Sequence, residues 1–263
     1  MNTQLQALAA TTTLLLVTSF GMQSKDADLK PAYIRTGQEI TLTGSIDFTG
    51  RVPAPRTIDT SADPVCTEAS PNLATDWLIV NDGRVENVVV YVTNSSILDT
   101  YSWKPPDSTV ELEHTGCRYR PHVLALQVGQ KLNIVNSDGT HHNTHPTPRL
   151  NKEWNQTQPP GAPPITNTFV HPEVAIPFKD NQHPWEKAYV AVFKHPYFAI
   201  TDANGNFRIE GLPPGQYDLV AWHEEMGQKK MELTVAPGEP RTVAFSFDQS
   251  DLKGSRLMQK WHH

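Results

Sequence analysis

Cysteine is almost absent from this 263-residue chain, which contains only Cys66 and Cys117. The two residues do not form a Cys-x-x-Cys pair, which argues against a redox-active dithiol. In an exported chain an even pair of cysteines predicts a disulfide, and closing so long a loop would contribute about 4 kcal/mol. Two buried thiols are the alternative.

Clusters of basic residues are also missing. The chain has 22 Lys and Arg residues against 28 Asp and Glu residues, for a net charge of -6. Because phosphate binding needs dense positive charge, nucleic acid is excluded as a partner. No serine or cysteine stands in a setting typical of a nucleophile and its base, so a hydrolase of that type is not predicted.

Charge is lacking altogether in the first 22 residues, which include the run "LQALAATTTLLLVTSFG". Its length predicts a signal peptide at 1–22, with Ser19 and Gly21 spaced as a cleavage site requires. An uncleaved N-terminal anchor is the alternative, since no Lys or Arg precedes the run. Either leader implies a periplasmic or secreted protein with no other transmembrane segment.

Helical periodicity is scarce, whereas proline is common, at 22 residues. The segment "EITLTGSIDF" places Ile40, Leu42 and Ile46 on one face, as a half-buried strand requires. Similar alternation recurs along the chain, and an Asn-Gly pair at 204–205 is a strong hairpin signal. The pattern predicts an all-β fold.

Histidines concentrate in two segments. The first, "VNSDGTHHNTHPTP", is a strand end that presents His142 and His145. The second, "FKDNQHPWEKAYVAVF", holds Asp180, His183 and Glu186 in the spacing Asp-x-x-His-x-x-Glu. A His-Pro bend interrupts this spacing, which predicts a tight loop rather than a helix.

These two segments resemble those of cupredoxins, most closely the amicyanin type. "HNTH" at 142–145 resembles the family's His-Asn-x-His element, and "DNQHPWE" at 180–186 its Cys-x-x-His-Pro-aromatic-Met loop. The resemblance implies a cupredoxin-like Greek-key sandwich over 38–193, with His142 and His183 as metal ligands. Asp180 then takes the place of the thiolate and Glu186 that of the thioether, while His145 is an alternative ligand.

The exchange of sulfur for carboxylate changes the chemistry that the resemblance implies. A blue copper site requires a soft thiolate, and two carboxylates make the site hard and anionic. Two imidazoles with one or two carboxylates suit Zn(II), Fe(II), Mn(II) or Cu(II). We therefore expect one transition metal ion, copper, zinc or iron, at His142, Asp180, His183 and Glu186. Loss of metal with retention of the scaffold is the alternative.

The C-terminal third resembles carboxypeptidase regulatory-like, or transthyretin-like, β-sandwich modules. The resemblance rests on "TDANGNF" at 201–207, "GLPPGQY" at 211–217 and "AWHE" at 221–224. It implies a smaller sandwich over 194–248, followed by a tail at 249–263. Cupredoxin-like and transthyretin-like pieces joined in this way resemble bacterial exported proteins of the methylamine-utilisation-like type.

Three functions are compatible with this sequence. The first is an exported metal-binding protein with an altered cupredoxin site, serving metal handling or a redox-accessory role with an unknown protein partner. The second is a metal-free scaffold or interaction protein of the cell envelope. The third is a non-blue metalloenzyme that uses an open coordination position. The sequence favours the first, and it does not favour an enzyme.

Overall fold

A computed structural model describes residues 30–254 of the chain. The predicted leader at 1–22 and most of the predicted tail at 249–263 lie outside the described residues. Within them, strands dominate and helices are short, so the all-β prediction is confirmed. None of the helices in 30–254 has the length and apolar character needed to span a membrane.

The strands and helices are numbered in chain order. The strands are β1 (Ile40–Thr49), β2 (Val80–Asn81), β3 (Arg84–Val85), β4 (Val89–Thr93), β5 (Val110–His114), β6 (Tyr119–Arg120), β7 (Val123–Gln127), β8 (Lys131–Asn136), β9 (His142–Pro146), β10 (Gln156–Gln158), β11 (Ile165–Thr168), β12 (Glu173–Lys179), β13 (Lys187–Phe193), β14 (Phe198–Ile200), β15 (Asn206–Leu212), β16 (Gly215–His223), β17 (Gly227–Val235) and β18 (Arg241–Asp248). The helices are α1 (Pro64–Ala69), α2 (Ser96–Thr100) and a 3-10 helix (Asp251–Gly254).

Strands β5 to β13 form what we name the central sandwich. One of its sheets has the order β10-β9-β12-β13-β7 and the other β11-β8-β5-β6. Between them lies an apolar core that includes Leu112, Ile134, Phe178 and Val190, each fully buried. Alternating side chains supply this core, as period-two patterning requires.

The remaining strands, β1 to β4 and β14 to β18, form the terminal sandwich. One sheet has the order β15-β1-β3-β2, with β18 parallel to β1, and the other has the order β14-β4-β16-β17. Strand β1 alternates buried and half-buried residues, with Leu42 and Ile46 fully buried as the alternation predicts. Their core partners include Phe207, Leu219 and Phe247.

This pairing divides the chain differently from the sequence-based boundaries of 38–193 and 194–248. Strands β1 and β4 pair with strands near the C-terminus rather than with strands of the central sandwich. The central sandwich is therefore inserted between β4 and β14. Local periodicity identifies a strand but does not identify the strand that pairs with it. A pairing between strands more than a hundred residues apart was therefore not predictable from the sequence pattern.

A third apolar cluster joins the two sandwiches. Val123, Ala191 and Phe193 of the central sandwich pack with Val89 of the terminal sandwich, and Trp222 borders the cluster. The two sandwiches thus share buried apolar surface and are not separated by a flexible linker, because β13 leads into β14 within five residues. His122 adds a polar contact, donating from its Nε2 to the Glu224 carboxylate.

Gly44 lies where β1 is hydrogen-bonded on both edges. A Cβ at this position would come within 2.4 Å of the Phe207 ring and 2.4 Å of the Val243 carbonyl oxygen. We expect Gly44→Ala to lower the free energy of unfolding by roughly 1–3 kcal/mol or more, because the backbone oxygen cannot move aside without disturbing the β1–β18 pairing. Urea unfolding measures this loss. Ser45→Ala, on the opposite face of β1, should change stability by less than about 0.5 kcal/mol.

Candidate metal centre

The four predicted ligands meet at one end of the central sandwich. His142 begins β9, Asp180 follows β12, and Glu186 immediately precedes β13. Since these three strands are neighbours in one sheet, their ends lie side by side. His183 lies in the loop between β12 and β13, where the Glu186 amide donates to the His183 carbonyl at 2.8 Å.

The ligand atoms converge on one small volume. His142 Nδ1 lies 2.9 Å from Asp180 Oδ2, 3.0 Å from Glu186 Oε1 and 3.1 Å from His183 Nδ1. His183 Nδ1 lies 3.4 Å from Asp180 Oδ2 and 3.8 Å from Glu186 Oε1. The side chains of His142, Asp180 and Glu186 are 0% exposed and that of His183 is 5% exposed. They therefore form one buried cluster.

These separations fit a small cation. Four donors at about 2.0–2.1 Å from a tetrahedral Zn²⁺ would lie about 3.3 Å from one another. The five separations given above, from 2.9 to 3.8 Å, bracket that value. Two imidazole nitrogens and two carboxylate oxygens are a hard donor set that suits Zn(II), Fe(II), Mn(II) or Cu(II).

Glu186 gives a second indication that the cluster fits a metal. Its Oε1 is buried and makes no hydrogen bond, although it lies 3.0 Å from His142 Nδ1. A buried carboxylate oxygen without a hydrogen-bond partner carries a desolvation cost that a cation would offset. The other oxygen, Oε2, lies 2.8 Å from His114 Nδ1, which fixes the carboxylate with Oε1 toward the centre.

Asp180 is held by the backbone around it. Its Oδ1 accepts hydrogen bonds from the amides of Gln182 at 2.7 Å and His183 at 3.0 Å, and its Oδ2 accepts one from the Asn143 amide at 3.0 Å. Burial raises the pKa of Asp180, but the hydrogen bonds from His142, His183 and these amides outweigh it and hold the pKa well below its usual range. The residue is therefore anionic at neutral pH.

Each of the two imidazoles donates a hydrogen bond from its Nε2 atom, on the side away from the other ligands, to a carboxylate. His142 Nε2 donates to Asp138 Oδ2 at 3.0 Å, and His183 Nε2 donates to Asp63 Oδ2 at 3.0 Å. Ionised carboxylates only accept, so each Nε2 carries the proton and each Nδ1 faces the centre. Carboxylates that bind the outer nitrogen of a ligand histidine are usual around metal sites.

The negative charge of the cluster controls the histidine protons. Burial lowers the pKa of His142, but hydrogen bonds to Asp138 and Asp180 and the nearby charge of Glu186 outweigh this effect and raise the pKa to about 11. Burial also lowers the pKa of His183, but hydrogen bonds to Asp180 and Asp63 outweigh this effect, so the pKa is raised. Without a metal, the His142 imidazolium supplies positive charge among these carboxylates, at a position that a cation would otherwise fill.

The structure brings all four predicted ligands together, but not His145. Its Nε2 lies 2.8 Å from the Glu153 carboxylate and its Nδ1 lies 3.2 Å from Asn181 Oδ1. These contacts place both ring nitrogens of His145 against partners other than the cluster. The alternative assignment of His145 as a ligand has no support in this geometry.

Sequence reasoning missed three residues at this site, His114, Asp63 and Asp138. His114 ends β5 on the same face as buried Leu112, and its ring stacks on that of His142 with centroids 4.4 Å apart. A histidine in phase with the apolar positions of a strand was the available signal. Asp63 and Asp138 lie in turns whose local sequence is ordinary for a turn. Nothing in that sequence indicates that either aspartate contacts a histidine.

The disulfide prediction is confirmed, since Cys66 and Cys117 are bonded and both are fully buried. Both cysteines of the chain are consumed in this bond, so neither offers a thiolate to the centre. The donor set is therefore of nitrogen and oxygen, as the sequence predicts.

Comparisons with known proteins cover parts of the chain. Residues 179–248 match the family model of the Carboxypeptidase regulatory-like domain, from the end of β12 to the end of β18. The recognition of such a module is thus confirmed, and the match begins 15 residues before the predicted boundary at 194. No curated protein matches the chain.

Solved structures similar to this chain include cupredoxins. A copper-containing nitrite reductase (NirK) from Thermus scotoductus SA-01 has a TM-score of 0.30 and 17% identity, over 39% of this chain and 27% of the reductase. A purple cupredoxin from Nitrosopumilus maritimus has a TM-score of 0.28 and 21% identity, over 32% of this chain and 98% of that one. An oxidised amicyanin variant has a TM-score of 0.29 and 16% identity, over 33% of this chain and 83% of amicyanin.

Proposed function

We propose that this protein is an exported metal-binding protein that holds one divalent transition metal ion at His142, Asp180, His183 and Glu186. The observation that carries the proposal is the convergence of four buried donor atoms at separations of 2.9–3.8 Å, with Glu186 Oε1 lacking a hydrogen bond. A bound cation would give that oxygen a partner and neutralise part of the charge of the carboxylates.

The donor set favours metal holding over electron transfer. Without a thiolate, Cu(I) would be bound weakly, and reversible one-electron chemistry would lose its usual soft ligand. Zn(II) and Cu(II) are the ions that two imidazoles and two carboxylates bind best under the general affinity order. The role that follows is metal handling, with a redox-accessory role only if Cu(II) or iron is the physiological ion.

Burial favours metal holding over catalysis as well. The side chains of His142, Asp180 and Glu186 have no exposure and His183 has 5%, so a substrate could not reach the donors in this conformation. A metalloenzyme needs a coordination position open to water or substrate. Export is supported by the buried disulfide, because such bonds persist in oxidising compartments.

A metal-free scaffold remains the second candidate, favoured by one observation. The hydrogen bonds of the His142 imidazolium to Asp138 and Asp180 would satisfy both nitrogens of this ring without any metal. In that case the two sandwiches would serve only as an interaction module. The two candidates differ in whether a divalent ion binds.

Asp180→Ala should abolish tight metal binding, because it removes a charged ligand that backbone amides hold in place. We expect a loss in affinity for Zn²⁺ or Cu²⁺ larger than the roughly 10–100-fold typical of outer-partner substitutions. Titration of the purified protein against a chromophoric chelator measures the dissociation constant, and elemental analysis identifies the ion that copurifies.

His145→Ala is the matched control, since this histidine lies in the same "HNTH" segment but faces Glu153 and Asn181. Its affinity should equal that of the wild type. The proposal would be abandoned if the wild-type protein bound neither ion at micromolar concentration, and the scaffold would then be the better description.

A further inference from the structure

The disulfide lies directly behind the candidate metal centre. Cys66 and Cys117 are bonded with their Cα atoms 5.5 Å apart, and they join two segments that are 51 residues apart in sequence. Each segment also supplies amides to one of the two carboxylates that orient a histidine. The bond therefore covalently ties together the two segments that hold these carboxylates, beside the hydrogen bond from the Ser70 hydroxyl to the Gly116 carbonyl at 2.9 Å.

The Cys117 segment fixes Asp138. The Gly116 amide donates to Asp138 Oδ1 at 2.7 Å, and the Cys117 amide donates to Asp138 Oδ2 at 2.8 Å. To present both amides to one carboxylate, Gly116 and Cys117 adopt φ values of 62° and 54°. For Cys117, which has a side chain, this left-handed conformation is strained and is held in place by the surrounding structure. Asp138 Oδ2 in turn accepts from His142 Nε2.

The Cys66 segment fixes Asp63. This aspartate caps α1, where its Oδ1 accepts from the amides of Val65 at 2.8 Å and Cys66 at 3.4 Å. Its Oδ2 accepts from His183 Nε2 at 3.0 Å and from the Thr140 hydroxyl at 2.7 Å. One carboxylate oxygen is therefore anchored to the helix and the other is directed at the imidazole.

We propose that Asp63, Asp138 and the Cys66–Cys117 disulfide form an outer frame that positions His142 and His183 for metal binding, an inference that rests on the proposed function. The frame sets the proton on each Nε2 and aims each Nδ1 at the centre. The disulfide holds the two supports at a fixed spacing, so the metal meets imidazoles that are already oriented. In this arrangement the cysteines control metal affinity without touching the metal.

The carboxylates test this positioning role with the disulfide intact. Asp138→Asn and Asp63→Asn keep the shape but replace one acceptor oxygen by a donor nitrogen. Both oxygens of each carboxylate accept hydrogen bonds, so the amide nitrogen must face a donor. We expect each variant to bind Zn²⁺ about 10–100-fold more weakly in chelator competition. Asp218→Asn, a buried aspartate of the terminal sandwich paired with Lys230, should retain wild-type affinity.

The disulfide is tested with the double variant Cys66→Ala/Cys117→Ala in the full-length protein. We expect a loss of Zn²⁺ affinity of similar size, together with changed Nε2–H proton shifts of His142 and His183 in the metal-free protein, because Asp138 and Asp63 would no longer be held against these nitrogens. A merely stabilising disulfide would lower the unfolding temperature and leave those shifts and the affinity unchanged.

The outcomes separate this inference from the proposed function. If the wild type binds Zn²⁺ but both asparagine variants bind it within twofold of the wild type, the frame is rejected and the metal site stands. If the wild type binds no Zn²⁺, both are rejected. If the cysteine variant does not fold, the two asparagine variants, which keep the disulfide, still decide the result.

Discussion

Acidification from pH 6.5 to pH 5 should lower the contribution of two buried histidines to the free energy of unfolding by about 3 kcal/mol, because both resist protonation. Burial lowers the pKa of His195 to about 4 and that of His223 to about 3. His195 is 8% exposed and His223 is 2% exposed. Each accepts a backbone amide at Nδ1, from Tyr197 and Glu225 respectively, both at 3.2 Å, and a proton on Nδ1 would break that bond.

The sign follows from proton uptake on unfolding. Below pH 6.5 the unfolded chain protonates both histidines, whereas the folded chain does not until the pH approaches 4 or 3. Stability therefore falls as the pH falls, by up to about 1.4 kcal/mol per pH unit for each histidine once the unfolded chain is fully protonated. Histidines with a raised pKa, such as His122, His142 and His183, add a smaller opposite slope near pH 6.5 and almost none below about pH 5.5, where both states are protonated.

Urea unfolding at several pH values between 6.5 and 5 measures this slope. His195→Gln and His223→Gln keep an amide acceptor near the same backbone donor and do not titrate, so each should remove about half of the slope. Carboxylates with a lowered pKa, including Asp63, Asp138 and Asp180, lose their contribution to the free energy of unfolding mainly below pH 4. That range lies outside the measurement, so they add little to its slope. A wild-type slope near zero in this range would contradict the prediction.

Metal binding should raise the stability of the wild-type protein by about 4 kcal/mol when free Zn²⁺ is a thousandfold above its dissociation constant. The gain arises because folding brings together four donors that lie up to 44 positions apart in sequence, so the unfolded chain offers no equivalent site. Thermal unfolding with and without Zn²⁺ measures the shift, and a chelator should reverse it.

The variant Asp180→Ala serves as the comparison for this linkage. It keeps the sandwich cores and the disulfide but lacks a charged ligand, so Zn²⁺ should leave its unfolding temperature almost unchanged. An equal shift in unfolding temperature in the wild type and the variant would show that Zn²⁺ stabilises the fold by binding at a different site. The candidate centre would then not account for the stabilisation.

The grouping of the candidate ligands was predictable because they lie in two short segments with recognisable spacing. The "DNQHPWE" loop places Asp180, His183 and Glu186 within seven residues, and the burial of all three agrees with a shared site. The outer partners were not predictable in this way. Asp63 and His183 are separated by 120 positions, and only the folded chain brings their polar atoms to 3.0 Å.

The fold, too, was predictable only in its local features. Alternating hydrophobicity determined that β1 is a strand with Leu42 and Ile46 on its buried face, because side chains alternate along any strand. It did not determine that β1 pairs with β15 and β18, or that the central sandwich is inserted between β4 and β14.

The sequence by itself determined the all-β class, the pair of cysteines available for a disulfide and the nitrogen and oxygen character of the candidate ligands, since these follow from residue type and local period. Only the tertiary structure decided which strands share a sheet, that the disulfide lies close to the candidate centre, and that His114, Asp63 and Asp138 contact its candidate ligands. The physical reason is that strand partners and buried hydrogen bonds are chosen by packing between distant segments, which local sequence does not record.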